Sequence, residues 1–167
     1  MINRYGVLAD RIRHELTLLG EAVQECEHAL ARTQENPVDR NLYVTAAALH
    51  LHDFYNGLER LFVIIASEID QTVPGGGAWH RELLTQMTIP LTQIRPAVLT
   101  PETVCDLDEY LRFRHVVRQV YAFQLDAERV GMLVADVRPV YERVCGELEA
   151  FTRFLECLRR ADESPDV

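Results

Sequence analysis

The sequence has few of the residues that break regular structure. Eight glycines and seven prolines in 167 residues exclude collagen-like and low-complexity classes. No Cys-x-x-Cys pair exists among Cys26, Cys105, Cys145 and Cys157. The chain also does not begin with a basic segment followed by an apolar one. All four cysteines lie in helical, apolar surroundings and are read as reduced core thiols of a cytoplasmic protein. Long hydrophobic runs are missing as well. The longest, Leu61 to Ala66, is far too short to span a bilayer, so no membrane partner is expected. Positive charge is in deficit, with a formal net charge of −9. A field of that sign does not attract nucleic acid, so any RNA binding must come from a local basic cluster.

What is present is helical periodicity on the scale of a single domain. Leu8, Ile12, Leu16, Leu19, Val23, Cys26 and Leu30 recur at three- and four-residue steps and predict a helix over Asn3 to Glu35. Asn36-Pro37 ends it. Pro37 suits the first turn of a second helix, to about Ile69. Leu42, Ala46, Leu49, Phe54, Leu58, Leu61, Phe62, Ile65 and Ile69 cover most of that helix's girth, which places it centrally in a bundle. Pro74-Gly75-Gly76-Gly77 breaks the pattern. A short helix follows over Ala78 to Met87, then an irregular link from Ile89-Pro90 to Arg95-Pro96. Thr100-Pro101-Glu102 reads as cap, first-turn proline and first-turn acid of a helix to about Phe123. Asp126 caps the last helix, Ala127 to Ala161, which Pro139 should kink or break. The expected fold is all-α: an antiparallel four- to five-helix bundle with a short extra helix in a crossover. Residues 1–161 form one domain and residues 162–167 an acidic flexible tail.

The stretch that carries chemistry is Arg112 to Tyr121. On a helix turning about 100° per residue, Phe113, Val116, Val117, Val120 and Phe123 take one side. Arg114, Arg118 and Tyr121 fall together on the other. His115 and Gln119 form an adjacent stripe, with Arg112 beside Gln119. The planar donor forks of arginine fit phosphate, and histidine can move a proton near neutral pH. RNA cleavage through its own 2′-hydroxyl needs an orienting group or base, a proton for the leaving oxygen and positive charge at the phosphorane. The plainer alternative is a solvated helix face whose arginines pair with acids such as Glu59, Glu109 or Asp53.

Within this stretch Arg114, four residues, Gln119, one residue and Tyr121 occupy the spacing Arg, four residues, His, one residue, Tyr. That spacing resembles the motif of the HEPN superfamily, and within it the HepT-like toxins of toxin–antitoxin pairs. Three longer segments resemble one HepT-like branch: Tyr55-Asn56-Gly57-Leu58-Glu59-Arg60-Leu61-Phe62, Trp79-His80-Arg81-Glu82-Leu83-Leu84 and Phe113-Arg114-His115-Val116-Val117-Arg118. The resemblance runs roughly from Asp53 to Arg129. It implies a homodimer with the two motif helices facing each other, and a metal-independent ribonuclease acting on single-stranded or transfer RNA. It also implies an MNT-type nucleotidyltransferase antitoxin that can attach AMP to Tyr121. Arg114, Gln119, Tyr121 and His115 become the catalytic candidates, and Arg112 and Arg118 the RNA-phosphate contacts. Gln119, where the family carries histidine, cannot accept and release a proton at pH 7. Two readings follow. Either His115, one turn earlier, carries the proton, or the chain is an inactive helical module that binds RNA or a protein partner.

Other polar residues are weighed against plainer roles. Glu59, with Tyr55 one turn before it, can support Arg114 or Arg118, or simply make a buried ion pair. His50 and His52 point to different helix faces, so neither a metal site nor any other cofactor is expected. Trp79 is expected to plug the bundle end, and His80 to cap the short helix, with a place near the RNA cleft as the alternative. Gly75-Gly76-Gly77 lacks the Lys-Ser/Thr of a phosphate loop and is read as a flexible turn.

Overall fold

A computed structural model describes residues 3–164 and shows five α-helices. These are α1 (Arg4–Glu35), α2 (Arg40–Ile65), α3 (Trp79–Thr88), α4 (Pro101–Gln119) and α5 (Ala127–Glu163). A π-helical turn, Ala66–Asp70, extends α2, and a 3-10 turn, Ala122–Gln124, separates α4 from α5. The all-α bundle expected from the periodicity is present, with α3 as the short extra helix in the crossover between α2 and α4. No helix among the described residues is long and apolar enough to cross a membrane.

Pairwise contacts fix the directions. Cys26 Sγ donates to Ala47 O, and Arg60 bonds Glu15, so α1 and α2 run antiparallel. A Cβ on Gly57 would stand 2.5 Å from Leu19 Cδ2, so these two helices approach closely where α2 carries no side chain. Arg13 bridges Glu149 and Glu156 while Arg138 bonds Glu27, which sets α5 antiparallel to α1. Tyr110 Oη donates to Leu133 O and Arg143 pairs with Asp106, which sets α4 antiparallel to α5. The core runs through all five helices, and α2 supplies its largest share, from Val44 to Ile65.

Several expectations are corrected. Pro37 does not open α2. Residues 36–39 form a turn closed by Asp39 N–H to Asn36 O, and α2 begins at Arg40. Reversal between two long antiparallel helices uses up the residues that Pro37 would otherwise have started. Leu42 and Leu49, counted toward the buried girth, are exposed, because the N-terminal half of α2 lacks a cover on that side. Val116 and Phe123, placed on the apolar side of α4, are exposed as well. Of the four cysteines only Cys26 is a core thiol, its pKa pushed up to about 12 by burial. Cys105 and Cys157 are exposed, Cys145 is half-buried, and all four are free. Pro139 lies inside α5 without ending it. Anchors on either side, Arg138 to Glu27 and Tyr141 Oη to Leu16 O, hold the helix to α1 across the missing bond. Helix α5 continues to Glu163, so Asp162 and Glu163 are helical. Of the acidic tail, residues 165–167 lie outside the described residues.

Placement of α3 depends on a pair with no sequence signal of its own. Arg95, in the irregular link, is fully enclosed. It donates to both carboxylate oxygens of Asp70 in the π-helical turn and to the carbonyls of Gln86, Ile89 and Pro96. Gln86 of α3 bonds Asp70 at 2.6 Å, and the amides of Val98 and Leu99 bond Met87 O. One guanidinium therefore ties the end of α2 to the end of α3. An isolated ten-residue helix would be marginal in water, and these bonds fix where it stands. Replacing one partner of such a pair leaves the other charge buried and uncompensated, at a cost of about 3–5 kcal/mol. Arg95→Met is expected to lose stability by that amount in urea unfolding. A loss under about 1 kcal/mol would contradict the assigned role.

Candidate functional site

The site forms where α2, α3 and α4 meet. Glu59, on the inward face of α2, is a carboxylate almost wholly removed from water. Such a group requires partners, and it has two. His80 Nδ1, at the start of α3, lies 2.7 Å from Glu59 Oε2. Arg114 Nη2, from α4, lies 3.6 Å from Glu59 Oε1. Arg114 Nε donates to Asn56 Oδ1 at 2.8 Å. Arg114 Nη1 stands 3.3 Å from both ring nitrogens of His80. The Trp79 ring lies against the His80 ring at 3.8 Å between centroids, and the His115 ring stands edge-on to it at 6.0 Å.

The three arginines of the α4 stretch have different surroundings. Arg112 pairs with Asp108 and Glu109, so its charge is met locally. Arg114 is mostly buried and held from three sides. Arg118 is exposed, and among the described residues it forms no ion pair. The acids named as possible partners divide accordingly: Glu59 reaches Arg114, Glu109 meets Arg112 and Arg129, and Asp53 is exposed. A fixed guanidinium beside a free one is an arrangement that can take a phosphate.

Tyr121 does not share a helical stripe with the arginines. Helix α4 ends at Gln119, Val120 and Tyr121 are extended, and the expected helix to Phe123 is four residues too long. Valines 116, 117 and 120 weaken the last turn. The chain must also turn before Asp126 caps α5 by accepting from the amides of Glu128 and Arg129. Gln124 fixes the turn by accepting from the Tyr121 amide. As a result Tyr121 and Phe123 stack in parallel at 5.5 Å while 72% and 79% exposed. Gln119 and His115 are exposed on the last turns of α4. Tyr55 is buried, and among the described residues its hydroxyl has no hydrogen-bond partner. Burial first, and the Glu59 charge next, raise its pKa.

Two residues carry more of the site than their sequence context indicated. His80 takes the place near the cleft rather than the capping role, bonding Glu59 across the helix junction, and Trp79 packs both on its ring and against the bundle core. Asn56 had no assigned part and orients Arg114. The only signal for either was membership of the segments Tyr55 to Phe62 and Trp79 to Leu84. Among the described residues no group of three His, Cys, Asp or Glu side chains could hold a metal ion.

Comparison with known proteins gives one match. A family model described as HepT-like protein matches residues 46–155, well over half of the chain, from within α2 to within α5. No curated protein and no solved structure matches.

His52, half-buried on α2, reports on this site. Its pKa is held below the ordinary value of 6.5, first by burial and then by Arg114, with Arg118 adding to the effect and Asp53 opposing it. The unfolded chain therefore takes up this proton first, and stability falls as pH drops below about 6.5. His52→Gln is expected to flatten that slope in unfolding measured from pH 7 to 5. A phosphate-bearing ligand at Arg114 and Arg118 removes their repulsion, so in NMR titrations the His52 pKa should rise on adding an RNA oligonucleotide. An unchanged value would place the anion elsewhere.

Proposed function

The chain belongs to the HepT-like family, and from that premise we propose that it is the ribonuclease component of a toxin–antitoxin pair, a cytoplasmic protein that cleaves RNA at the α2–α3–α4 junction. The observation that carries this reading is the contrast between the two arginines. Arg114 is locked by Asn56, Glu59 and His80, while Arg118 is left free one turn away. Donors already oriented toward a developing charge need no reorganisation during reaction, which is where most of the rate advantage of such sites lies. Arg112, neutralised by Asp108 and Glu109, contributes less.

The protein acts as a homodimer in this reading. Two motif helices facing each other double the local positive charge, which offsets a net charge of −9. The exposed apolar groups Val116, Tyr121 and Phe123 at the end of α4 support pairing there. The partner that silences it is an MNT-type nucleotidyltransferase. Transfer of AMP from ATP to the Tyr121 hydroxyl, with release of pyrophosphate, would add a negative charge just beyond the end of α4. The exposure of Tyr121 leaves that hydroxyl open to a second enzyme. A second reading, an inactive helical interaction module, is favoured by Gln119 in the place of the motif histidine.

Incubation of the purified protein with transfer RNA in EDTA decides between them. Wild type is expected to cleave, and Arg114→Ala to cleave about 10²–10³-fold more slowly. Absence of cleavage, or equal cleavage by both, leaves the interaction module as the function.

A further inference from the structure

We propose that His80 is the proton-accepting base of this site, in place of the imidazole whose motif position is occupied by Gln119. The proposal rests on the RNA-cleaving reading. It is carried by the arrangement around the His80 ring, which no spacing along α4 reveals.

Glu59 Oε2 lies 2.7 Å from His80 Nδ1, and the carboxylate side chain is only 9% exposed. A carboxylate accepts only, so Nδ1 carries the hydrogen and Nε2 of the neutral ring keeps its lone pair. The same division of labour orients a histidine in hydrolytic triads, where the carboxylate fixes the tautomer and the far nitrogen handles the proton. Arg114 Nη1 is 3.3 Å from Nδ1 and also 3.3 Å from Nε2. An atom that far from both nitrogens of one imidazole lies over the face of the ring, since in the ring plane it would collide with the carbon between them. Neither contact then uses the in-plane lone pair. Among the described residues Nε2 has no other partner. The side chain is 15% exposed, so it is held by protein on most sides and still open to a substrate.

The competing groups are less well placed. His115 is exposed, and among the described residues no carboxylate orients its ring. Gln119 has no titratable proton. His115 is well placed for the complementary task. Its ring centroid is 6.0 Å from that of His80, close enough for the two imidazoles to reach different oxygens of one phosphodiester.

The reaction then balances as a transesterification. A ribose 2′-hydroxyl gives its proton to His80 Nε2, and O2′ forms a bond to the adjacent phosphorus. The P–O5′ bond breaks, and O5′ leaves with a proton from the His115 imidazolium. The products are a 2′,3′-cyclic phosphate and a 5′-hydroxyl. Arg114 and Arg118 meet the charge on the non-bridging oxygens. The two histidines end in exchanged protonation states, which water restores.

The test uses the full chain, a fluorescent RNA oligonucleotide as substrate and its all-2′-deoxy analogue as a binding probe that cannot be cleaved. His80→Gln is expected to slow cleavage by about 10²–10⁴-fold, with affinity for the deoxy analogue within a few-fold of wild type. Adding Gln119→His to His80→Gln is expected to restore cleavage, because a proton carrier returns to the motif position. Cleavage by His80→Gln at a rate near wild type overturns the proposal and leaves the ribonuclease reading intact. A wild-type protein that does not cleave overturns both. Should His80→Gln lose helical content or affinity, the double variant decides: rescue supports the proposal and failure of rescue overturns it.

Discussion

The buried carboxylate of Glu59 is the constraint around which three helices are arranged. Desolvating an ion costs several kcal/mol unless close partners offset it. On α2 itself nothing basic is within reach, since Arg60 turns outward to Glu15. The compensation comes from α3 through His80 and from α4 through Arg114. Arg95 and Asp70 play the matching part at the other end of α3. Between them these two buried pairs fix a ten-residue helix at both ends. The residues that build the site are thus also residues that hold the fold together.

Charge distribution, rather than net charge, sets what the surface can bind. A chain at −9 repels polyanions at long range, and several of its arginines are already matched by acids along the bundle seams. Arg13, Arg138 and Arg143 are all matched by carboxylates from a neighbouring helix. Arg118 stands apart from that pattern at the end of α4, next to a guanidinium already held in place. A local excess of positive charge therefore survives inside an acidic molecule, and doubling it across a dimer would strengthen it further.

The departure at Gln119 changes character once the helices are assembled. Along α4 it removes the one group of the motif that can carry a proton. Across the junction a histidine from another helix stands against the motif arginine, already oriented by a carboxylate. In the proposed reaction, proton transfer and phosphate binding come from different elements of the chain.

Periodicity and capping signals were enough to settle the helical class, the order of the helices, the cap residues Thr100 and Asp126, and the stretch in which the arginines lie. These are local properties, set within a turn or two of helix, so a linear pattern contains them. The segments from Tyr55 to Phe62, Trp79 to Leu84 and Phe113 to Arg118 also pointed to the family, and the family comparison bears that out. Local pattern could not show that α4 stops before Tyr121, because the stop comes from the need to turn into α5 and not from a breaking residue. Nor could it show that Arg114 and Arg118, alike in type and one turn apart on α4, become a buried and a free cation. That outcome depends on which neighbouring helix each one faces. The tertiary structure alone decided that His80 meets Glu59 and Arg114, residues 21 and 34 positions away along the chain. A buried charge takes its partner from whatever the packing brings within a few ångströms, and sequence distance sets no limit on that.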